Sequence, residues 1–214
     1  MRPLVLAHRG ACWDAPENTL EAFELAVEQD ADYVEFDVVG GPEGELVICH
    51  DLAPPPGVPT LDEALAALVG RVGLAVEIKD AAATDGVLEA LARHEADPQR
   101  LLVLSFRLRA LERVRRARPE VRCVLHLGRR PDPLAALSYW GVGFEDPVGA
   151  SRIRLAQAHG LATTVFTVNE PARMRELAAL GVDGIFTDRP ALLRETLAAL
   201  PEREHGRSRR ETMR

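Results

Sequence analysis

The feature that most constrains the fold is a regular alternation of short apolar segments with longer amphipathic ones. Eight apolar segments of four to seven residues recur through the 214 residues, which is about 27 residues for each repeat. Runs of this kind are typical of strands in a parallel sheet that is covered on both faces. The alternation predicts a (β/α)8 barrel with strands at Leu4–His8, Tyr33–Val39, Leu74–Lys79, Leu101–Phe106, Val121–Leu127, Val142–Glu145, Ala162–Val168 and Gly184–Asp188.

The segments between these strands carry helix and turn signals. Asn18 or Thr19 can cap the first helix, and Thr60 can cap the next. A Gly- and Pro-containing turn at 40–44 returns the chain through Leu46–His50, which predicts an extra β-hairpin strand after the second strand. Helices are expected over 20–29, 61–69, 84–96, 108–118, 133–140, 150–160, 170–180 and 190–200.

The domain organisation is expected to be simple. Residues 1–201 read as a single TIM-barrel catalytic domain, and residues 202–214 as a polar C-terminal tail. An open doubly wound sheet is the main alternative fold. It is disfavoured because no Gly-rich nucleotide-binding fingerprint follows any of the strands.

The amino-acid composition argues against several classes of binding partner for this protein. A net charge of −7 provides no global basic field for nucleic acid, and the apolar runs are too short for an integral membrane segment. Three widely spaced cysteines indicate neither a disulfide framework nor a cysteine-based zinc site, so a reduced cytoplasmic protein is expected. The presence of only two asparagines is typical of a thermophile-like composition. The 25 arginines against one lysine would also follow from a GC-rich genome.

Charged residues interrupt two of the apolar segments in an alternating pattern. Glu35 and Asp37 lie two residues apart, as do Glu77 and Lys79, so each pair points to one face of its strand. Buried carboxylates that lie together require a neutralising cation. Three carboxylates suit Mg2+ or Ca2+ better than zinc. The alternative is a buried ion pair of Lys79 with Glu77 or with Glu35, without a metal.

Two histidines follow strands that end beside these carboxylates. His8 ends the first strand and His50 ends the hairpin strand, and an imidazole titrates near neutrality, so the pair suits general acid and base catalysis. Arg9 and Lys79 place two cations there, which favours an anion such as a phosphate as the ligand. His126, near the end of the fifth strand, is a weaker candidate for lining the same pocket.

The order of these motifs resembles the glycerophosphodiester phosphodiesterase family over about residues 4–198. The family has a TIM barrel fold and, in lipid and glycerol metabolism, uses a divalent cation to hydrolyse glycerophosphodiesters to glycerol 3-phosphate and an alcohol. The motifs that carry the resemblance are His8-Arg9-Gly10, Pro16-Glu17-Asn18-Thr19, Glu35-x-Asp37, His50-Asp51, Glu77-Ile78-Lys79, Phe166-Thr167-Val168-Asn169 and Gly181 to Pro190 with Asp188.

The resemblance implies a role for each residue that matches a family motif. It implies a divalent cation, Mg2+ or Ca2+, held by Glu35, Asp37 and Glu77, with His8 and His50 as the acid/base pair. Substrate contacts are implied for Arg9, Lys79, Phe106 and Asn169, and supporting positions around the metal for Glu17, Asn18, Asp51 and Asp188. The attacking nucleophile is either water or the substrate's own 2-hydroxyl, which would form a cyclic phosphate.

Two departures from the family pattern bear on specificity. Family members usually carry a sizeable insertion after the His-Asp pair, whereas here only a Pro-rich stretch over 52–59 separates His50-Asp51 from the next helix. A more open pocket is therefore expected. Phe166 also stands where the family commonly has Trp.

Two other functions are weighed against the hydrolase. A phospholipase-D-toxin-like transferase would stop at the cyclic phosphate. It is disfavoured because those relatives are secreted and disulfide-bonded, whereas the three cysteines of this chain indicate no disulfide framework. A phosphodiester-binding module without activity would be favoured by the loss of a histidine or a carboxylate. All of these residues are present.

Overall fold

The computed structural model of this chain describes residues 2–128 and 136–201. Its strands form one sheet that closes on itself, because β1 pairs in parallel with both β2 and β9. The predicted TIM barrel is therefore confirmed. The strands are β1 Leu4–Ala7, β2 Tyr33–Gly40, β3 Leu46–Ile48, β4 Gly73–Ile78, β5 Leu101–Ser105, β6 Arg122–His126, β7 Gly141–Glu145, β8 Ala162–Phe166 and β9 Gly184–Thr187.

Helices surround the barrel between successive strands. They are α1 Leu20–Glu28, α2 Leu61–Leu68, α3 Thr84–Arg93, α4 Leu108–Ala117, α5 Ala150–Ala158, α6 Pro171–Leu180 and α7 Pro190–Ala198. Thr60 caps α2 as predicted, within a complete capping box with Glu63. Of the predicted helix over 133–140, residues 133–135 lie outside the described residues. Residue 136 is in a 3-10 conformation, and residues 137–140 form turns and bends. The predicted tail, 202–214, also lies outside the described residues.

The extra strand β3 extends the edge of β2 beyond the point where β1 ends. It is antiparallel to β2, with Val38 opposite Ile48. The extra β-hairpin strand predicted after the second strand is therefore confirmed. β4 occupies the other edge of β2, so β1 and β3 share one edge. The chain segments that follow β1 and β3 are consequently both delivered to that edge.

The barrel interior changes from apolar to charged along the strands. Ala75 and Glu77 point to the same face of β4, and Tyr33 precedes Glu35 in the same way on β2, so the apolar layer lies nearer the amino ends of the strands. The charged layer lies toward the carboxyl ends. The interior apolar cluster consists of Leu6, Tyr33, Ala75, Leu102, Leu104, Val124 and Phe186.

Most predicted strands were too long at their carboxyl ends. Several of these strands end just before a candidate site residue, which lies in the loop that follows because the chain turns there. Arg9 and Gly10, for example, have φ values of 54° and 86°, which no strand can accommodate. The residues that belong to loops rather than to strands are His8, His50, Lys79, Phe106 and Asp188. Among the described residues, no helix is long and apolar enough to cross a membrane.

Candidate active site

Three buried carboxylates meet at the mouth formed by the carboxyl ends of the strands. Glu35 and Asp37 come from β2 and Glu77 from β4, and the backbone register places Asp37 directly beside Glu77. Each residue offers an oxygen, and these oxygens all lie within 4.8 Å of one another. The residues are only 2%, 1% and 6% exposed. The convergence predicted from the alternating sequence is therefore present in the structure.

Two cations lie against this carboxylate cluster. Arg9 Nε is 3.0 Å from Asp37 Oδ2, and Lys79 Nζ is 3.3 Å from Asp37 Oδ1 and 3.1 Å from Glu77 Oε1. The ion pair of Glu77 with Lys79, considered above as an alternative to a metal, is thus formed. Although burial lowers it, the pKa of Lys79 is raised because Glu77 and Asp37 favour its charged form.

The electrostatics of the carboxylate cluster are compatible with the binding of a further cation. Burial, followed by the charges of Asp37 and Glu77, raises the pKa of Glu35 well above its usual value. Burial acts in the same direction on Glu77, but the contacts of His126 and Lys79 overcome it and lower the pKa of Glu77 to about 2. Glu77 Oε1 is buried and forms an ion pair with the Lys79 ammonium at 3.1 Å. An oxygen-only site with these properties fits a divalent cation.

The loop after β1 turns back over the cluster. Asn18 has a φ of 57°, a conformation that asparagine tolerates, and its Nδ2 donates to Asp37 Oδ2 at 3.1 Å. Arg9 is held by Glu17, to whose carboxylate its Nη1 donates at 2.8 Å, and its backbone N–H donates to Glu35 at 2.9 Å. Thr19, and not Asn18, caps α1. Glu17 and Asn18 therefore position the groups that surround the carboxylates.

His8 belongs to a hydrogen-bonded chain that crosses to the ends of β8 and β9. Its Nδ1 lies 2.8 Å from Asp188 Oδ1, and the other oxygen, Oδ2, accepts from Asn169 Nδ2 at 2.6 Å. Asn169 Oδ1 in turn accepts from the backbone N–H of Asp188 and from Thr187 Oγ1. Burial would raise the pKa of Asp188, but the hydrogen bonds from His8, Cys12 and Asn169 lower it to about 2. Asp188 is therefore an ionised acceptor that orients the His8 ring.

His50 approaches the same edge of β2 from the opposite direction. The backbone N–H of Cys49 donates to Asp37 O at 3.0 Å. This hydrogen bond holds the end of the hairpin against β2, the strand that carries Glu35 and Asp37. The His50 side chain is 44% exposed, and its Nδ1 lies 3.2 Å from Asp51 Oδ1. His50 is thus more accessible to solvent than His8, whose side chain is 20% exposed.

Aromatic rings line the side of the mouth that faces away from α1. Phe106 is 39% exposed and packs edge-on against His126 and Phe166. His126 stacks on Phe166 with a ring-centroid distance of 4.5 Å, and its Nδ1 lies 3.3 Å from Glu77 Oε2. His126 was only a weak candidate from its place near the end of a predicted strand. His126 lies two residues after Val124 on the same strand, and Val124 points into the barrel. This spacing was the feature of the sequence that could have placed His126 in the interior.

A TIM barrel with buried carboxylates, two cations and two histidines at this mouth is suited to an enzyme that acts on an anionic substrate. A model of the glycerophosphoryl diester phosphodiesterase family matches residues 8–69 and 54–192. The chain belongs to that family and is an enzyme of the glycerophosphodiester phosphodiesterase type.

Individual relatives agree with this assignment. The Mycobacterium tuberculosis protein named probable glycerophosphodiester phosphodiesterase 2 is 30% identical, over 93% of this chain and 92% of its own. The crystal structure of an Agrobacterium tumefaciens glycerophosphodiester phosphodiesterase is similar with a TM-score of 0.75 and 26% identity, covering 90% of this chain and 99% of that one. A phosphodiesterase of Oleispira antarctica, solved with the product sn-glycerol-3-phosphate, shares the fold with a TM-score of 0.82 at 24% identity, over 92% and 98% of the two chains.

These comparisons also show whether this chain lacks a segment that its relatives have. The alignment with the Mycobacterium tuberculosis relative runs over 248 positions, while 93% of 214 residues is about 199, so about 49 positions of the relative have no counterpart here. The family model matches in two pieces that overlap at residues 54–69. Both observations are compatible with a reduced insertion in this chain, and its position after His50 stays a prediction.

Proposed function

We propose that the protein hydrolyses glycerophosphodiesters to sn-glycerol 3-phosphate and an alcohol, with a divalent cation, Mg2+ or Ca2+. The observation that carries this proposal is the cluster of Glu35, Asp37 and Glu77, buried together beside two cations and next to the oriented His8. The product bound to the Oleispira antarctica enzyme supports glycerol 3-phosphate as the phosphorylated product.

The divalent cation would be held by Glu35, Asp37 and Glu77. When bound there, it supplies positive charge that binds the phosphodiester and stabilises the negative charge that develops on its oxygens. Lys79 and Arg9 lie at the border of the carboxylate cluster, and we assign them to phosphate contacts in addition to their ion pairs. Their side chains are each less than a fifth exposed, so their charges act in a partly desolvated site where such charges are effective.

His8 is held in the tautomer that suits proton transfer. Because the Asp188 carboxylate only accepts hydrogen bonds, the 2.8 Å contact requires a proton on His8 Nδ1. Its Nε2 is then left to take a proton from the nucleophile or to give one to the leaving group. Asp188 also stabilises the imidazolium, and Asn169 fixes Asp188, which makes Asn169 a positioning residue for His8.

The two histidines divide the proton transfers between them. One removes the proton from the attacking hydroxyl while the P–O bond to the alcohol breaks, and the other gives a proton to the departing alkoxide. The attacking group is a water molecule, or the 2-hydroxyl of the substrate's glycerol followed by water opening of the cyclic phosphate. In both routes the net reaction consumes one water molecule. The cyclic route returns both histidines to their initial protonation states, because they exchange roles when water opens the ring. The direct route leaves their protonation states exchanged, and proton exchange with solvent restores them.

The leaving alcohol faces the open side of the pocket. With the reduced insertion, the aromatic surface of Phe106 remains partly exposed at the mouth, and we assign it as the wall beside the glycerol or the leaving group. A mouth with so little cover favours tolerance toward different alcohol groups over strict selection of one.

The experiment that tests the acid/base assignment compares histidine variants on glycerophosphocholine. His8→Ala and His50→Ala are each expected to lower kcat by at least about 100-fold, the usual size of a general acid or base contribution. His159→Ala is the matched control, since His159 is an exposed residue at the end of α5 and its loss should leave turnover unchanged. If either variant at the mouth turned over substrate at the wild-type rate, the assignment of that histidine would be wrong.

A further inference from the structure

A second group of potential metal ligands lies beside the carboxylate cluster and differs from it in chemistry. Cys12 Sγ donates to Asp188 Oδ1 at 3.1 Å, and His8 Nδ1 lies 2.8 Å from the same oxygen. The nitrogen, the sulfur and a carboxylate oxygen all lie within 4.8 Å of one another. Cys12 comes from the loop after β1 and Asp188 from the loop after β9, so the spacing of the cysteines in the sequence could not reveal this group.

The surrounding contacts hold the three residues in place. The backbone N–H of Trp13 donates to the carbonyl of Asp188 at 3.1 Å, which fastens the Cys12 loop to the end of β9. Asn169 bonds Asp188 Oδ2, so Oδ1 is the oxygen turned toward the histidine and the cysteine. All three residues are partly exposed at the mouth, which gives an ion a path from solvent.

Thiolate, imidazole and carboxylate together are typical zinc ligands, whereas the neighbouring carboxylates alone suit Mg2+ or Ca2+. Zinc bonds of about 2.0 Å to nitrogen and oxygen and about 2.3 Å to sulfur place tetrahedral ligand atoms about 3.3 to 3.5 Å apart. The observed contacts of 2.8 and 3.1 Å need to open by only a few tenths of an ångström. Three protein ligands leave the fourth position to water, as in an exchangeable site.

We propose that His8, Cys12 and Asp188 form a second, inhibitory metal site that binds zinc-class ions. On binding, the thiol proton leaves to solvent, and the imidazole proton moves from Nδ1 to Nε2 as Nδ1 takes up the metal. The Nε2 atom then no longer accepts a proton, so His8 is removed from proton transfer. The inhibitory effect rests on the proposed function, whereas the binding site itself does not.

The binding claim is tested with Cd2+, a zinc-class ion whose bond to a thiolate absorbs in the ultraviolet. Burial, and then the hydrogen bond to Asp188 and its charge, raise the pKa of the Cys12 thiol, so the signal reports bound metal and not free thiolate. The full chain is titrated with Cd2+ in saturating Mg2+, which occupies hard oxygen sites. One equivalent should produce the band in wild type and in Cys49→Ser, and no band should appear in Cys12→Ser.

A second variant keeps the test independent of any effect of Cys12→Ser on folding. Asp188→Asn retains the thiol but replaces the carboxylate ligand, and it should weaken Cd2+ binding by about tenfold or more. A band that persists in Cys12→Ser, or that is absent from wild type, would overturn the site. Neither result depends on turnover, so failure of this site and failure of the proposed phosphodiesterase activity are separable.

Inhibition is tested with Zn2+ on glycerophosphocholine turnover, each variant being compared with its own rate without zinc. Wild type and Cys49→Ser should be inhibited at the same Zn2+ concentration, and Cys12→Ser should need at least about tenfold more. Inhibition should persist when Mg2+ is raised. Relief by excess Mg2+ together with equal sensitivity of Cys12→Ser would place the zinc among Glu35, Asp37 and Glu77 and contradict the proposal.

Discussion

Replacing Asp188 by asparagine isolates the electrostatic support of His8 with almost no change of shape. The asparagine side chain has the size of the aspartate but no charge, and it can present an N–H toward His8 Nδ1, which then loses its acceptor. The wild-type contacts at stake are the 2.8 Å bond to His8 and the 2.6 Å bond from Asn169. The variant is therefore expected to keep its fold and to lose the orientation of the His8 ring.

The size of the effect follows from the pKa of Asp188. Its native contacts lower the pKa from 3.8 to about 2, which is nearly two units and corresponds to about 2 kcal/mol at 1.36 kcal/mol per unit. Because the side chain is 22% exposed, this free energy is an upper bound for stability. If the same interaction supports the imidazolium, kcat/KM should fall by up to about 30-fold from the lost charge alone. Loss of the correct tautomer would lower it further.

The pH dependence of stability provides an independent check. A carboxylate whose pKa is depressed in the folded state stabilises the fold above its unfolded pKa of about 4, and that contribution disappears as the pH falls through about 2. The contribution of the Asp188 charge to the difference in free energy of unfolding between wild type and Asp188→Asn should therefore be fully present at about pH 5. It should then shrink between about 4 and 2, as measured by urea unfolding at each pH.

Asp62→Asn is the matched control for the measurement of kcat/KM. Asp62 also contacts a histidine, since His94 Nε2 lies 2.8 Å from its Oδ1, but it lies on the protein surface with a side chain that is 58% exposed. Its replacement should leave kcat/KM unchanged. The reasoning is refuted if Asp188→Asn retains wild-type kcat/KM, or if its stability difference from wild type is the same at pH 5 and at pH 2.

Two further substitutions test the metal site and the loop that covers it. Glu77→Gln removes one of three expected ligands and should weaken the binding of Mg2+ or Ca2+ by at least about tenfold in calorimetric titration; unchanged affinity would exclude Glu77 as a ligand. Gly10→Ala would place a Cβ 2.6 Å from the carbonyl carbon of Ala22 at a φ of 86°. It should cost at least about 1 kcal/mol more stability than Gly160→Ala, whose φ of 78° is similar but whose surroundings are open, and equal losses would show that the clash is relieved.

The barrel could be predicted because each of its strands and helices produces a recognisable pattern in a short stretch of the sequence. Strands covered on both faces must be continuous apolar runs, and each crossover needs a helix of a certain length, so length and periodicity were enough. The ends of the strands could not be located in this way. They depend on where the backbone leaves the sheet, and the left-handed conformations of Arg9 and Asn18 become evident only in the folded loop.

The site was predictable to the extent that it follows from alternation on single strands. Glu35, Asp37 and Glu77 could be placed on one face from spacing alone. The contact of His126 with Glu77 joins β6 to β4, which are not adjacent strands, and it depends on the diameter of the closed barrel. The contact of Cys12 with Asp188 spans 176 residues and arises only when the barrel closes between β1 and β9.

Product analysis of glycerophosphocholine hydrolysis tests the central claim most directly. Phosphorus NMR of the reaction with Mg2+ or Ca2+ should show sn-glycerol 3-phosphate appearing in step with free choline, and EDTA should abolish both products. A cyclic glycerophosphate that accumulates without being opened would identify a transferase. Undiminished turnover in EDTA, or the release of phosphocholine in place of glycerol 3-phosphate, would contradict the account of Glu35, Asp37 and Glu77 as the metal site of a glycerophosphodiesterase.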